Sequence, residues 1–250
     1  SLYLNSSSGS AYRFFEYSTE ASGYINSQFA SVEDYFKLRE QNIGLKEENA
    51  RLREKLISSY YNNESVIITE KDTQLNLQYE YIPAKVVDNT VELQHNYMIL
   101  DKGTRHQVQE QMGVTGTKGI IGITRKAGRH FTNVLSILNT EFKLSVKIKE
   151  PNEIGSLVWE AGDYRFARVT EVPAYVEIRK GMEVVTSEYS DFFPPGLAVG
   201  EVTEIELDEE GSFYNLLIIL KEDMRNVRHA YVVKDIYKNQ KDSLIEAVSP

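Results

Sequence analysis

A heptad pattern between residues 38 and 56 constrains the fold of this 250-residue chain more than any other feature. Leucine recurs at every seventh residue, and asparagine occupies Asn42 and Asn49, two core positions between the leucines. A repeat of alternating three- and four-residue steps is that of a left-handed coiled coil, in which Leu at d favours a dimer and a buried Asn at a fixes the register. The pattern predicts a dimer interface made of Leu38, Asn42, Leu45, Asn49, Leu52 and Leu56.

The charges beside this seam predict the orientation of the two helices. The e positions are basic (Arg39, Lys46, Arg53), and the g positions are acidic or neutral (Asp34, Gln41, Glu48). In a parallel dimer, g faces e of the partner's next heptad, which would pair Asp34 with Arg39 and Glu48 with Arg53. An antiparallel pair would oppose basic side chains, so we expect a parallel homodimer. The alternative is a solitary helix that packs on its own domain.

A second apolar stripe runs along the same helix at the b positions, where a two-stranded coiled coil is usually polar. Its members also recur every seven residues: Phe29, Phe36, Ile43, Ala50 and Ile57. We expect Phe29, Phe36, Ile43 and Ile57 to dock another protein or a second dimer. In the alternative interpretation the β region folds back and covers the upper part of the stripe, at Ile57 and Ile43.

The rest of the chain predicts strands. Eleven short β-branched runs, from "AKVVDNTVEL" to "YVVKDIY", are separated by turn residues, and no long amphipathic helix interrupts them. Short strands at close spacing are typical of small barrels or sandwiches, not of a parallel α/β sheet. We expect the single tryptophan, Trp159, to anchor a core, with an exposed docking position as the alternative.

Several classes of function are disfavoured by the sequence. A net charge of −9 argues against general nucleic-acid binding, and the absence of cysteine excludes disulfides and thiolate chemistry. The four histidines are scattered, and the glycine run from Gly113 to Gly122 lacks the Walker pattern and reads better as hairpin turns. No GxSxG elbow occurs. We therefore predict no enzymatic activity, no metal site and no cofactor.

The stretch "GSLVWEAGDYRFARVTEVPAYVEIRKGMEVVTSEYSDFFPPGLAVGEVTEI" is the most distinctive in the chain. With "YIPAKVVDNTV", "NYMILDKGT" and "MGVTGTKGIIGIT" upstream, it resembles the rod shape-determining protein MreC family over roughly residues 75 to 237. Arg105, His106 and Gln107 stand where that family commonly has an Asp-Gly turn. The family's membrane-spanning helix is missing, which favours a fragment without its anchor.

The resemblance implies a mainly β fold with an N-terminal α-helical coiled coil and two small six-stranded β-barrels, which are protease-like but non-catalytic. Mapped onto this chain, residues 1–75 are the helix and coiled coil, 76–139 with 212–237 form the first barrel, 140–211 form a second, inserted barrel, and 238–250 are a disordered tail. "FYNLLIIL" and "YVVKDIY" are then expected to pair with strands between positions 80 and 138.

The function implied is that of a non-enzymatic scaffold in the bacterial cell-elongation complex, which maintains cell shape by organising peptidoglycan synthesis enzymes. The expected partners are a second copy, with filaments possible, a penicillin-binding protein and other membrane proteins of that complex. The expected location is the extracytoplasmic side of the inner membrane, through an N-terminal anchor absent here. The alternatives are a secreted polysaccharide-binding module and a degenerate trypsin-like hydrolase.

Overall fold

The computed structural model describes residues 40–55, 60–61, 76–238 and 240. The chain divides into two compact units, residues 1–49 and 50–250, and helix α1, residues 40–54, crosses their boundary. In the described part of the chain no helix combines the length and the apolar character needed to cross a membrane.

A small two-stranded sheet follows α1. Strand β1, Tyr60–Tyr61, pairs antiparallel with β2, Asn76–Leu77. The prediction that helix extends to residue 75 is therefore wrong at Tyr60 and Tyr61, because tyrosine suits strands and the backbone finds a pairing partner in β2.

Barrel 1 is a closed six-stranded barrel with strand order β14-β3-β4-β7-β6-β5. Its strands are β3 (Tyr79–Asn89), β4 (His95–Leu100), β5 (Gly113–Thr115), β6 (Ile120–Ala127), β7 (Thr132–Asn139) and β14 (His229–Asp235). The last strand closes the barrel by pairing with both β3 and β5. The expectation for "YVVKDIY" is thus confirmed.

Barrel 2 is also closed, with strand order β10-β13-β12-β11-β8-β9. Its strands are β8 (Lys143–Ile148), β9 (Glu153–Val158), β10 (Phe166–Pro173), β11 (Glu183–Thr186), β12 (Ala198–Leu207) and β13 (Phe213–Leu220). All six strands come between β7 and β14 in sequence, so barrel 2 is inserted into barrel 1.

The expectation for "FYNLLIIL" is wrong. This segment, β13, pairs with β10 and β12 in barrel 2 instead of completing barrel 1, so barrel 2 does not end at residue 211. The physical reason is local: β13 follows β12 through a hairpin in which the Asp208 carboxylate accepts hydrogen bonds from the backbone N–H groups of Ser212 and Phe213. Its inward side chains Leu216 and Ile218 then fill the interior of barrel 2.

One cluster of buried hydrophobic side chains runs through both barrels. The largest fully buried members include Phe142, Phe193, Leu157 and Met224. Trp159 is 4% exposed and belongs to this cluster, which confirms the prediction of a core position.

The turn that departs from the family pattern is a 3-10 helix, Thr104–His106. It ends at Gln107, whose backbone is left-handed with φ 63°. A left-handed backbone is one that glycine adopts most readily, and here Gln107 adopts it.

Candidate interaction surfaces

The described part of the predicted seam faces solvent in the single chain. Leu45 is 57% exposed and Leu52 is 52% exposed, and Asn42 and Asn49 are exposed as well. The Asn49 side-chain amide donates a hydrogen bond to the Leu45 carbonyl, 2.8 Å away, on its own helix. The other two predicted members, Leu38 and Leu56, lie outside the described residues.

The two described members of the second stripe differ in exposure. Ile43 is 47% exposed, whereas Ala50 is 5% exposed and belongs to the hydrophobic cluster of the barrels. The β region therefore covers the stripe at Ala50, as the alternative interpretation proposes for its upper part, whereas Ile43 is exposed. Phe29, Phe36 and Ile57 lie outside the described residues.

Arg53 fixes the end of α1 to barrel 1. Its guanidinium lies over the ring of Tyr231, 4.5 Å from the centroid, and donates to the carbonyls of Gly116 (3.2 Å) and Thr117 (3.1 Å). The neighbouring Glu54 carboxylate accepts a hydrogen bond from the Tyr81 backbone N–H at 3.4 Å. The heptad pattern assigned Arg53 to a partner's Glu48 and gave no signal for this contact with the barrel.

The turn between β5 and β6 binds a carboxylate. Glu222, which follows β13, accepts hydrogen bonds from the backbone N–H groups of Lys118 (2.6 Å) and Gly119 (3.1 Å) and is 9% exposed. A Cβ at Gly116 would lie 2.4 Å from a Glu222 carboxylate oxygen, so any larger residue there would displace this carboxylate. The glycine-rich run thus binds an internal anion in place of a phosphate, and it joins barrel 1 to the end of β13.

The Phe-Pro-Pro-Gly motif makes a second contact between the barrels. Phe193 is 1% exposed and its ring lies against Gly113, where a Cβ would be 2.6 Å from the ring. Behind it, the Thr186 hydroxyl donates to the Pro194 carbonyl at 2.7 Å and accepts from the Leu197 N–H at 2.9 Å. Gly196 completes the turn with φ 86°.

The connection from β13 back to barrel 1 adds a third link. Arg225 forms an ion pair with Glu92 at 2.8 Å and lies over the Tyr164 ring, 4.7 Å from its centroid. The side-chain amide of Asn89 donates to the Met224 carbonyl at 2.7 Å. The two barrels are therefore held by side chains from three separate segments, which suits a rigid double-barrel body.

The described side chains give no sign of catalytic assembly. The Ser187 hydroxyl donates to the Ser145 hydroxyl at 2.7 Å at a part-buried position of barrel 2. No group of three or more His, Asp or Glu side chains is placed to hold a metal ion in the described ranges. Two shifted groups have structural causes: burial raises the pKa of Tyr79 above its usual range, and the hydrogen-bonded Arg165 lowers the pKa of Asp163 to about 2. The contacts described above join the end of α1 and the two barrels, as expected for a protein that holds surfaces at fixed positions.

Comparison with known proteins gives the family. The family model "Rod shape-determining protein MreC, barrel core" matches residues 86–234, and this chain belongs to that family. The cell shape-determining protein MreC of Listeria monocytogenes is 25% identical over 206 residues, which cover 81% of this chain and 65% of that protein. The Escherichia coli MreC is 27% identical over 168 residues, which cover 67% of this chain and 41% of that protein. The family is one of cell shape-determining proteins and not of enzymes.

Solved structures agree on the fold. An MreC structure from Listeria monocytogenes has a TM-score of 0.59 at 24% identity and covers 82% of this chain and 92% of that chain. A structure described as a complex between penicillin-binding protein PBP2 and MreC from Helicobacter pylori has a TM-score of 0.51 at 21% identity, covering 64% of this chain and 99% of that chain.

Proposed function

We propose that this protein is a non-enzymatic scaffold of the bacterial cell-elongation machinery, which maintains cell shape by organising peptidoglycan synthesis enzymes. The observation that carries the proposal is the coupling of one helix end and two barrels into one body through Arg53, Glu222 and Phe193. A scaffold has to hold separate binding surfaces at fixed positions, and family membership gives the biological setting.

The proposed partners are a penicillin-binding protein and other membrane proteins of the elongation complex. The Helicobacter pylori complex supports the first of these, because it joins an MreC to a penicillin-binding protein. The proposed location is the extracytoplasmic face of the plasma membrane, with a membrane anchor of the kind the resemblance implies. The pair of closed six-stranded barrels is in keeping with the expected likeness to chymotrypsin-type folds.

The partner proposal is tested with the 250-residue chain immobilised in detergent extracts of bacterial envelopes, where a fluorescent penicillin identifies any penicillin-binding protein retained. We expect retention of a labelled transpeptidase at moderate salt. A denatured sample of the same chain serves as the control. Equal retention on the native and denatured chains would contradict the proposal.

We also propose a parallel coiled-coil dimer through Leu38, Asn42, Leu45, Asn49, Leu52 and Leu56. The exposure of Leu45 and Leu52 supports it, since two leucines on one helix face gain free energy when a partner buries them. Joining such dimers into filaments would need a further contact surface outside the seam.

Sedimentation equilibrium of the intact chain tests the dimer. Leu45→Ser with Leu52→Ser should give a monomer, whereas Glu47→Ser at an exposed f position should leave the dimer intact. Asn42→Ile with Asn49→Ile should raise the melting temperature and loosen the choice of register and oligomer. A wild-type chain that stays monomeric at high micromolar concentration would contradict the coiled coil.

The second stripe, Phe29, Phe36, Ile43 and Ile57, is proposed as a docking surface for another protein or a second dimer. The exposed Ile43 supports this, because the a and d positions already account for dimerisation. Phe29→Ser with Phe36→Ser should lower the retention of elongation partners without changing the dimer. Loss of the dimer would instead place this stripe in the seam.

A second candidate function is polysaccharide binding on barrel 2. A cleft of about 380 Å³ is lined by the 72% exposed Tyr189, by Phe192, by hydroxyls of Ser145 and Ser156 and by the carboxylate of Asp191. Aromatic, hydroxyl and carboxylate groups together suit a sugar chain. Tyr189→Ala should weaken binding of soluble peptidoglycan fragments in calorimetry, and an unchanged heat of binding would exclude this cleft.

A further inference from the structure

Basic side chains gather at one tip of barrel 1, although the chain carries a net charge of −9. Two loops meet there: the Thr104 N–H donates to the Gly128 carbonyl at 2.9 Å, and the Arg105 N–H donates to the Arg129 carbonyl at 3.3 Å. This basic tip consists of Lys102, Arg105, His106, Lys126, Arg129, His130 and the exposed Phe131.

The arginines of the basic tip face solvent. Arg105 and Arg129 are exposed, and among the described residues neither takes part in an ion pair; the same holds for Lys126. The backbone of both loops is held in place by hydrogen bonds. The Gly128 carbonyl accepts from the Thr104 N–H, and the Gly128 N–H donates to the Phe131 carbonyl at 2.9 Å. Positive charge without an ion-pair partner, on the same two loops as one exposed aromatic ring, makes a surface complementary to an acidic partner with apolar groups.

Barrel 2 of the same chain carries an acidic surface with exposed apolar side chains. The acidic tip is the β12–β13 hairpin, formed by Leu207, Asp208, Glu209, Glu210 and Phe213 together with the neighbouring Glu206 and Tyr175. Leu207 is 58% exposed and Phe213 44% exposed. Glu206 is paired with Arg168 at 3.3 Å, whereas Glu209 and Glu210 make no ion pair with any described residue.

The two tips belong to different barrels, and each lies beyond the end of a strand that begins near the junction of the barrels. Both β6 and β12 begin at the junction of the barrels, where Gly119 lies against the Ala198 carbonyl. The basic tip follows the far end of β6 and the acidic tip the far end of β12, each roughly 25–30 Å along its strand at about 3.3 Å per residue. No ion pair among the described side chains joins the tips, so both present unused charge to a second molecule.

We propose that the basic tip of one copy binds the acidic tip of another copy. The occupant is a second copy because one sequence supplies both halves of the match, in charge and in exposed apolar side chains. The contact joins unlike surfaces and is separate from the coiled-coil seam, so it links dimers to one another. Each pair of tips would bring Arg105 and Arg129 against Glu209 and Glu210, with Phe131 near Leu207 or Phe213.

Charge reversal on the intact chain tests the contact by sedimentation velocity. Arg105→Glu with Arg129→Glu, or Glu209→Lys with Glu210→Lys, should each weaken association beyond the coiled-coil species roughly tenfold or more. An equimolar mixture of the two variants should restore it, because the reversed tips match again. Lys143→Glu with Lys180→Glu changes the net charge as much as the arginine reversal does, at two exposed positions outside both tips, and should behave as wild type. Raising the salt from 0.1 M to 1 M shortens the screening length from about 10 Å to about 3 Å and should weaken the wild-type contact.

Cross-linking gives a second readout in this cysteine-free chain. His130→Cys mixed with Ser212→Cys should cross-link between copies through a short bis-maleimide, and neither variant alone should do so. Association that is unaffected by either reversal, or that the mixture fails to restore, would overturn the proposal. Binding to phosphatidylglycerol vesicles that needs Arg105 and Arg129, without self-association, would assign the basic tip to a lipid surface and would also overturn it. The coiled-coil dimer should persist in every tip variant, so failure here is distinguishable from failure of the seam.

Discussion

The ring of Phe193 in barrel 2 lies directly against the backbone of Gly113 in barrel 1. A Cβ atom on residue 113 would be 2.6 Å from two ring carbons and 2.3 Å from the Phe192 carbonyl oxygen. No larger residue fits at position 113 without moving the barrels apart. The contact therefore favours glycine at position 113 and places the Phe-Pro-Pro-Gly turn of barrel 2 against barrel 1.

Phe193→Ala should reduce the free energy of unfolding by about 3–5 kcal/mol, because it leaves a cavity where a fully buried ring had filled the junction. Urea denaturation followed by circular dichroism gives the measurement. Tyr175→Ala, at a side chain that is 86% exposed, is the control and should change stability by less than about 0.5 kcal/mol. Equal losses in the two variants would contradict a junction role for Phe193.

Thr186→Val should destabilise the turn behind Phe193 by about 1–3 kcal/mol. Valine has nearly the same shape but leaves the Pro194 carbonyl and the Leu197 N–H without their partner in a buried site. Thr186→Ser keeps the hydroxyl and should cost less. Thermal unfolding of both variants checks the order, and a serine variant less stable than the valine variant would show that packing of the methyl group dominates.

Glu222→Ala should loosen the β5–β6 turn, because the Lys118 and Gly119 N–H groups lose their acceptor. Amide hydrogen exchange in residues 113–122 should become roughly tenfold faster. This factor corresponds to a decrease of about 1.4 kcal/mol in the free energy of local opening. Glu222→Gln, which keeps one carbonyl acceptor, should show a smaller effect. The opposite finding, unchanged exchange in this segment for the alanine variant, would mean that the strands alone hold the turn.

Arg53→Gln should free the end of α1 from barrel 1. The variant loses the stacking on Tyr231 and the two hydrogen bonds to the turn carbonyls, for a cost of about 1 kcal/mol at a partly exposed site. Arg51→Gln, two residues away on an exposed face, is the matched control. Faster exchange at residues 50–55 is expected only for the Arg53 variant. If the affinity of the dimer falls instead, Arg53 pairs with Glu48 of the partner helix and not with barrel 1.

The strands of both barrels were largely predictable from the sequence. All eleven predicted runs contain a strand, because alternating β-branched residues between turn residues report the two-residue period of a half-buried strand. Strand β5, Gly113–Thr115, was read only as part of a glycine-rich hairpin, since three residues are too few to establish a period. Strand β1, Tyr60–Tyr61, was not predicted, because it lies in a polar region that the sequence pattern assigns to helix.

The contacts of the interaction surfaces were much less predictable. The heptad pattern predicts that Leu45 and Leu52 belong to a dimer interface. Both are exposed in the single chain, and the dimer stays a prediction. The pattern gave no indication that Arg53 reaches a turn about 60 residues away or that Glu222 fills the glycine-rich turn about 100 residues before it. Such contacts carry no local period, so a single sequence does not reveal them.

The sequence by itself determined the helix of the heptad pattern, the eleven strands, the lack of cysteine chemistry and, through its Phe-Pro-Pro-Gly segment, the family. Only the tertiary structure decided that Phe213–Leu220 belongs to barrel 2, that three segments join the barrels, and that the charged loops form a basic and an acidic tip. The physical reason is that a strand's own pattern fixes which face is buried, whereas its partners depend on how the sheet closes. That closure is set by the sum of many contacts between residues distant in sequence.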